Sequence, residues 1–293
     1  MVLEEEVASA HLLLLCKAIE DGDILRFDDI VKRCPANDLN KAIPGTAGAT
    51  PLILCVQKGQ TYALRVLLAQ RAVAVNKTDD NGLTALLHAI AMNDSNALSI
   101  LLGCPAIDVN KGSPLLQAVL DGKVDILSQL LAHRELSQLN APRGIDGESV
   151  IHLAAKRGDV RVLRLLLSEP SLQVNRCRLG GRTAFYMACE ANQIAAVKLF
   201  LSLSGRSEFD VNQPDDNGCT PLMAAAMAGN VDVCRLLAAS PRVDKARADD
   251  YGDTPLGRAK NDEVRVALGG VRLGDTLEDE VEEAGNECRC VVA

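Results

Sequence analysis

The apolar residues of this 293-residue chain recur as short helical stripes. The clearest stripes have the spacing i, i+1, i+4, i+5, which buries one face of a helix. They comprise Ala63, Leu64, Leu67 and Leu68; Ile126, Leu127, Leu130 and Leu131; and Val162, Leu163, Leu166 and Leu167. Before each stripe lies another apolar segment, closed by a glycine or asparagine. The pattern therefore predicts pairs of short helices joined by tight turns.

A phrase led by threonine or serine begins each pair. It reads TPLILCVQKG from Thr50, TALLHAIAMN from Thr84, SPLLQAVLDG from Ser113, SVIHLAAKRG from Ser149, TAFYMACEAN from Thr183, TPLMAAAMAG from Thr220 and TPLGRAKNDE from Thr254. The leading hydroxyl suits a helix N-cap, and proline fits directly behind it because the first helical position needs no amide donor. Nine positions later, six units carry Gly or Asn, which tolerate a left-handed helix end. Each phrase should therefore start a first helix.

The connections between the helix pairs carry their own signals. VNKTDDNG, VNRCRLGG and VNQPDDNG contain the Asp, Asn and Gly residues of tight turns and predict projecting fingers. The connection DVNKGSPL before Ser113 is shorter, so we expect a clipped finger there. The segment HLLLLCKAIEDGDILRFDDIVKR has the two-helix spacing without a Thr-Pro start, which predicts an N-terminal cap. After Thr254 the second helix should be shortened, as in a terminal unit that faces water.

Seven starts with spacings of 34, 29, 36, 34, 37 and 34 residues, followed by glycine-centred fingers, resemble the ankyrin-repeat family. The resemblance implies an all-α repeat solenoid of stacked helix-turn-helix units with projecting β-hairpin or loop fingers. We predict an N-terminal capping helix pair in residues 1–45, an array of six internal units and a short C-terminal cap in 46–270, and an acidic flexible tail in 271–293. Another helical solenoid would explain the helix pairs but not the Thr-Pro-Leu starts and fingers.

Composition narrows the classes of function. The formal net charge is −8, but most of it lies in the tail, so the body is close to neutral and predicts no nucleic-acid partner. Aromatic residues make up 2% and tryptophan is absent, which disfavours a deep aromatic pocket. The N-terminus has neither a secretory signal nor a membrane span. Ten scattered cysteines favour free thiols in a cytoplasmic protein over a disulfide framework.

The residues that could carry catalysis have structural interpretations. The resemblance gives His152 a structural role, and His88 lies one position later in its unit. The glycines of LGGRT precede Thr183 but lack the frame of a phosphate loop. The pairs Asp79-Asp80, Asp215-Asp216 and Asp249-Asp250 could suggest acid/base chemistry or a cation site, but they share one finger position and are turn formers first. We therefore predict no enzyme, no cofactor and no metal, the remaining alternative being an unrecognised site.

In the family that this chain resembles, partners dock on the concave face. Carried over by position, the candidate residues are Gln57, Lys58, Met92, Asp121, Arg143, Lys156, Arg157, Arg176, Arg178, Glu190, Met227 and Tyr251. Their mixed charge favours a protein partner over nucleic acid, and we expect the chain to be a monomer. Arg143, Arg157, Arg176 and Arg178 fall in consecutive units and could form a basic patch for an acidic peptide or for the acidic tail. Ordinary solvated charge is the alternative.

The tail ends in Cys290-Val291-Val292-Ala293, a cysteine, two aliphatic residues and a small residue, as in a prenylation signal. Two alternatives explain the same four residues: a chance occurrence, or a C-terminal peptide that another domain binds. Because a single lipid binds membranes weakly and the flank is acidic, Cys288 is a candidate for a second, palmitoyl anchor. We expect a protein-binding scaffold tethered to the cytoplasmic face of a membrane. The alternative is a soluble regulatory subunit, inhibitor or assembly chaperone with an unmodified tail.

Overall fold

The computed structural model of the chain describes residues 2–203 and 209–271. The segment from residue 272 onward, which includes the predicted lipidation sites Cys288 and Cys290, lies outside the described residues. The described chain groups into two compact units, unit 1 in residues 1–139 and unit 2 in residues 140–293.

Short helices in pairs make up the described residues, as the apolar stripes predict. The N-terminal pair is α1 (Val2–Asp21) and α2 (Ile24–Arg33). The first helices of the following units are α3 (Pro51–Gln57), α5 (Ala85–Ala91), α7 (Pro114–Leu120), α9 (Val150–Arg157), α11 (Ala184–Glu190) and α13 (Pro221–Ala228). The second helices are α4 (Thr61–Leu68), α6 (Ser95–Leu102), α8 (Val124–Leu131), α10 (Val160–Ser168), α12 (Ile194–Leu201) and α14 (Val231–Ala238). The last helix of the described residues is α15 (Asp262–Ala267). Two 3₁₀ turns lie at Asp38–Asn40 and Gln138–Asn140.

The threonine starts act as N-caps. The hydroxyl oxygens of Thr50, Thr84, Thr183 and Thr220 accept a hydrogen bond from the backbone N–H three residues later, at 3.2–3.4 Å. The predicted left-handed residues also have positive φ, from 56° at Asn192 to 87° at Gly229. A start and a stop are thus encoded within ten residues, which fixes the length of the first helix.

Two of the starts depart from the prediction. Ser113 is in the left-handed conformation (φ 60°, ψ 55°), and its side chain makes no capping hydrogen bond. The clipped connection, in which Gly112 also has a φ of 76°, turns the chain too tightly for the extended cap geometry. After Thr254, residues 255–258 form a turn instead of a first helix, although the Thr254 hydroxyl still accepts from Gly257 N–H at 3.3 Å. Gly257 disfavours a helix there, and α15 begins only eight residues after the threonine.

The core is built from first helices that are buried almost throughout and second helices buried along one stripe. In α13, residues 221–226 are all buried, and the alanines among them allow close helix packing. Unit 2 also contains an aromatic cluster, in which the Phe185 ring lies 5.6 Å from that of Phe200 and 5.3 Å from that of Phe209. In the part of the chain that is described, no helix is long and apolar enough to cross a membrane. The boundaries predicted at residues 45 and 270 stay predictions.

Candidate partner-binding surface

Neighbouring fingers are joined by backbone hydrogen bonds. We define the tip of a finger as the residue four positions before the capping Thr or Ser. In unit 1 the N–H of the tip residue Asp80 donates to Ala47 O at 3.0 Å. In unit 2 the tips Leu179, Asp216 and Asp250 donate to Asp146 O, Gly180 O and Asn217 O at 2.7–3.1 Å. Each finger is therefore held at a fixed spacing from the one before it, whatever its tip side chain.

A buried aspartate just before the tip holds three of the fingers closed. Asp79 Oδ1 accepts from the N–H groups of Asn81 and Leu83 at 3.0 and 2.8 Å. Asp215 and Asp249 make the same pair of bonds in their own fingers. The predicted role of the acidic pairs as turn formers is confirmed, because the first carboxylate of each pair closes the loop.

The second carboxylate oxygen of each buried aspartate has a different donor. His88 Nε2 lies 2.9 Å from Asp79 Oδ2, Arg258 Nη2 lies 2.7 Å from Asp249 Oδ2, and the Tyr186 hydroxyl donates to Asp215 Oδ2 at 3.0 Å. Burial alone would raise the pKa of Asp79 and of Asp249, but the hydrogen bonds outweigh it, so that both pKa values lie below the usual range. All three carboxylates are already hydrogen-bonded within the protein, so their role is to hold the fingers together.

Five asparagines between the helix pairs hydrogen-bond one repeat to the next. The side-chain amide of Asn76 donates to Ala106 O at 2.8 Å and accepts from Asp108 N–H at 2.8 Å. The same two-bond arrangement recurs at Asn40, Asn110, Asn140 and Asn212. The recurrence of asparagine directly after valine or leucine is the signal in the sequence that points to this role, beyond the turns predicted for the VN phrases.

Polar residues at the start of the second helices hydrogen-bond to the first helix of the preceding repeat. Lys123 Nζ donates to Ile90 O and Ala91 O at 2.6 and 2.8 Å. Asn230 Nδ2 donates to Cys189 O and Glu190 O, both at 2.9 Å, and Gln193 Nε2 donates to Lys156 O at 3.1 Å. Because these carbonyls lie at helix C-termini, they lack the usual helical donor four residues later. Most polar side chains between the repeats are thus used to hold the stack together.

All twelve predicted partner-binding residues are accessible. Gln57, Arg176 and Arg178 are half-buried, and the exposed ones are Lys58, Met92, Asp121, Arg143, Lys156, Arg157, Glu190, Met227 and Tyr251. Some already have ionic neighbours, such as Lys58 with Glu20 at 3.5 Å and Glu190 with Arg182 at 3.2 Å. The large apolar members are well exposed, namely Met92 by 49%, Met227 by 46% and Tyr251 by 73%. The predicted face also includes the finger residues 142–145 and 176–179, whose tips Ile145 and Leu179 are 96% and 67% exposed.

The remaining reactive side chains are held in unreactive settings. His152 is fully buried, and its Nδ1 accepts from Ser149 N–H at 3.2 Å. Burial lowers the pKa of His152, which keeps the ring neutral. Burial also raises the pKa of Cys16 and of Cys34 to about 11, which suppresses the thiolate. Among the residues that the structure describes, no group of three or more His, Cys, Asp or Glu side chains is placed to hold a metal ion.

Comparison with known proteins decides the family. The family model for ankyrin repeats (3 copies) matches residues 14–113, 115–207 and 200–268. The chain belongs to the ankyrin-repeat family. Proteins built from ankyrin repeats are generally non-catalytic interaction modules, so this ankyrin-repeat chain has a role in protein–protein interaction.

Several characterised proteins contain a similar stretch. The chain is 30% identical over 212 residues to the nuclear factor NF-kappa-B p105 subunit of Gallus gallus, covering 67% of this chain and 20% of that protein. It is 31% identical over 128 residues to the human transient receptor potential cation channel subfamily A member 1, covering 41% and 11%. It is 27% identical over 205 residues to the probable E3 ubiquitin-protein ligase XBOS33 of Oryza sativa subsp. japonica, covering 66% and 38%. The chain thus spans two fifths or less of the length of these relatives.

Proposed function

We propose that this chain is a non-catalytic scaffold or adaptor that binds a protein partner on its finger-side face. We define the finger-side face as the exposed C-terminal ends of the first helices together with the finger tips. The observation that carries the proposal is the exposure of Met92 in unit 1 and of Met227 and Tyr251 in unit 2. These large apolar side chains are exposed on a stack of repeats that is held together by hydrogen bonds from Asn, Asp and Lys side chains.

The chemistry of this face suits protein recognition. Methionine, tyrosine and arginine are enriched in protein interfaces, and a few such residues provide most of the binding energy. Tyr251 is also held in place, because the Arg258 guanidinium lies 5.4 Å from the centre of its ring. An anchored ring loses little conformational entropy on binding. We therefore assign Tyr251 and Met227 as the anchor residues of unit 2.

The relatives support a binding role more than any one activity. Their names include a nuclear factor subunit, a cation channel and a probable E3 ubiquitin-protein ligase. Because the part they share with this chain is the repeat region, their separate activities are not transferred to it. Our second candidate is a soluble regulatory subunit, inhibitor or assembly chaperone. It is favoured by the name of the Gallus gallus relative, which describes that protein as a subunit.

Affinity capture from the source cells, with each variant beside the wild type, tests the proposal. Tagged full-length chain carrying Met227→Asp with Tyr251→Asp should lose its partner by more than tenfold, because each substitution places a charge in the interface. Lys198→Glu changes an exposed residue on the second helix α12 and should leave capture unchanged. Far-ultraviolet circular dichroism checks that every variant is folded. Equal capture of the same partner by wild type and double variant would refute the assignment.

The second part of the proposal is lipid attachment at Cys290, with Cys288 as the palmitoyl site. Only the residue types of Cys290-Val291-Val292-Ala293 support it. Metabolic labelling with an alkyne-bearing isoprenoid should mark wild type and Cys288→Ser but not Cys290→Ser. Membrane fractionation of the same three chains should show a loss for both variants, since stable anchoring takes two signals. Absence of label from the wild type would favour the soluble regulatory subunit, inhibitor or chaperone.

A further inference from the structure

The N-terminal helix pair carries exposed aliphatic side chains. In α1, Leu13 is 55% exposed and Leu14 is 41% exposed, and at the start of α2 Ile24 is 49% exposed. Lys17 lies one helical turn after Leu13 and Leu14, on the same stripe of α1, and is also exposed. We call these four residues, together with Asp29 of α2, the end face.

In the other helix pairs, the positions of Leu13 and Leu14 are buried. Leu13 and Leu14 lie nine and eight residues before the turn residue Gly22, as Thr50 and Pro51 lie before Gly59. At most 3% of the residue is exposed at the position of Leu13 in five other pairs, where it is Thr50, Thr84, Ser149, Thr183 and Thr220. The position of Leu14 is also buried, as Pro51, Ala85, Pro114, Val150, Ala184 and Pro221. Because α3 packs on α1 and α5 packs on α3, Leu13 and Leu14 lie on the side of α1 that another helix could cover.

The second helix adds Ile24 and Asp29 to the same side. The position of Ile24 is half-buried in four other pairs, as Val124, Val160, Ile194 and Val231. Asp29 lies seven residues after Gly22, as Gln129 lies seven residues after Gly122. Gln129 reaches the preceding second helix, where its Nε2 donates to Ser95 Oγ and its Oε1 accepts from Ser99 Oγ, both at 2.9 Å. Asp29 therefore lies on the side of α2 that faces away from the rest of the stack.

The charges of the end face indicate what could cover it. The outer side of a terminal repeat is normally polar, because it faces water, whereas exposed leucines gain free energy only when another surface covers them. Lys17 on α1 and Asp29 on α2 lie at similar distances from the turn at Gly22, so the two halves of the end face carry opposite charges. Such a surface is complementary to itself when two copies meet across a two-fold axis.

We propose that two copies of this chain associate through their end faces. A two-fold axis parallel to the helices lays α1 of one protomer over α2 of its partner. This arrangement pairs Lys17 with the partner's Asp29 twice, and it encloses Leu13, Leu14 and Ile24 of both protomers between the two ion pairs.

The association is weak because the end face is small. Two helices side by side are about 20 Å wide, α2 is about 15 Å long and α1 is about 30 Å long, so the contact covers roughly 300–600 Å² of each protomer. A total of about 600–1,200 Å² is typical of transient complexes. The dilute chain is therefore a monomer, as we expect from its sequence, and the dimer forms at concentrations of the order of 100 µM. The end face shares no residue with the finger-side face.

Sedimentation equilibrium of the purified full-length chain between about 5 and 500 µM measures the association. The apparent mass of the wild type should rise from 31.2 kDa towards twice that value. Lys17→Asp and Asp29→Lys should each stay monomeric, because two copies of either variant bring like charges together. An equimolar mixture of the two variants should associate as the wild type does, since opposite charges meet again at both contacts. Leu14→Asp with Ile24→Asp should weaken the association at least about tenfold.

Val266→Asp with Val271→Asp is the matched control, because these valines are 46% and 61% exposed near the C-terminal limit of the described residues. It should associate as the wild type does, and far-ultraviolet circular dichroism checks that every variant is folded. Loss of association in this control would indicate head-to-tail contacts and would overturn the proposal. A wild type that stays at 31.2 kDa throughout, or a variant mixture that stays monomeric, would overturn it as well. The proposed function stands or falls separately, because partner capture through Met227 and Tyr251 is measured on different residues.

Discussion

Replacing Asn76 by alanine isolates the contribution of one inter-repeat asparagine to the stability of unit 1. Asn76 makes two bonds of 2.8 Å to the backbone of the next repeat, at Ala106 O and Asp108 N–H. A hydrogen bond adds about 0.5–1.5 kcal/mol net, so the two together should be worth roughly 1–3 kcal/mol. Asn76→Asp should also lower the free energy of unfolding. The carboxylate can still accept from Asp108 N–H, but its other oxygen would face the Ala106 carbonyl oxygen, to which the amide nitrogen of Asn76 donates.

Urea denaturation followed by far-ultraviolet circular dichroism measures the change. The stability of stacked repeats depends on the interface between neighbours, so the loss should appear as a lower midpoint of the transition. Asn96→Ala in α6 is the matched control, because the hydrogen bond at Asn96 is made by its backbone N–H, to Asp94, which the substitution keeps. An Asn76→Ala midpoint indistinguishable from that of Asn96→Ala would refute the account of how the repeats are joined.

Three further substitutions have directions set by local geometry. Ser113→Gly should stabilise unit 1 by up to about 1–2 kcal/mol in a urea titration, because glycine adopts the left-handed conformation without strain; a loss of stability would contradict this. Phe200→Ala should cost about 3–5 kcal/mol by removing the fully buried ring between Phe185 and Phe209, and a loss below about 1 kcal/mol would show that the cluster is dispensable. Burial lowers the pKa of His152 below its usual 6.5, so the unfolded chain binds more protons and the free energy of unfolding should fall as the pH drops below 6.5. His152→Gln should flatten this pH dependence in urea unfolding midpoints measured between about pH 7 and pH 5. An unchanged slope in the variant would contradict this reasoning.

The sequence was sufficient to predict the helix pairs and their ends. The first helices α3, α5, α11 and α13 are bounded by local chemistry, a threonine that caps each one and a glycine or asparagine that ends it, so their prediction needed no tertiary information. The prediction was wrong at two starts. At Ser113 the short connection prevents the extended cap geometry, and after Thr254 the residue Gly257 disfavours a first helix. Local motifs predict structure only where the flanking chain has the usual length.

The candidate surface could be predicted less completely. Exposure of Met92, Met227 and Tyr251 follows from their positions in the repeat, and the family resemblance supplies those positions. The resemblance also places the finger residues Ile145 and Leu179 on this face, but the sequence does not show that the two tips are neighbours. Their significance depends on the bond from Leu179 N–H to Asp146 O, which brings residues 34 positions apart in the chain side by side.

The residues that hold the repeats together differ from those proposed to bind a partner, and the two groups should respond differently to substitution. Side chains such as Asn76, Asp79 and Lys123 bond to neighbouring backbone and should be sensitive to substitution through stability. Met227 and Tyr251 should be sensitive only through binding. A variant series that measures both properties therefore separates the two groups, which a binding assay alone would not do.

Site-specific photo-crosslinking tests the central claim most directly, that the finger-side face binds a protein. A benzophenone amino acid replaces Met227 in one full-length chain and Lys198, on the second helix α12, in another. After irradiation in the source cells, the account predicts a discrete covalent adduct with one protein from position 227 and none from position 198. The same adduct from both positions, or an adduct from position 198 alone, would contradict it.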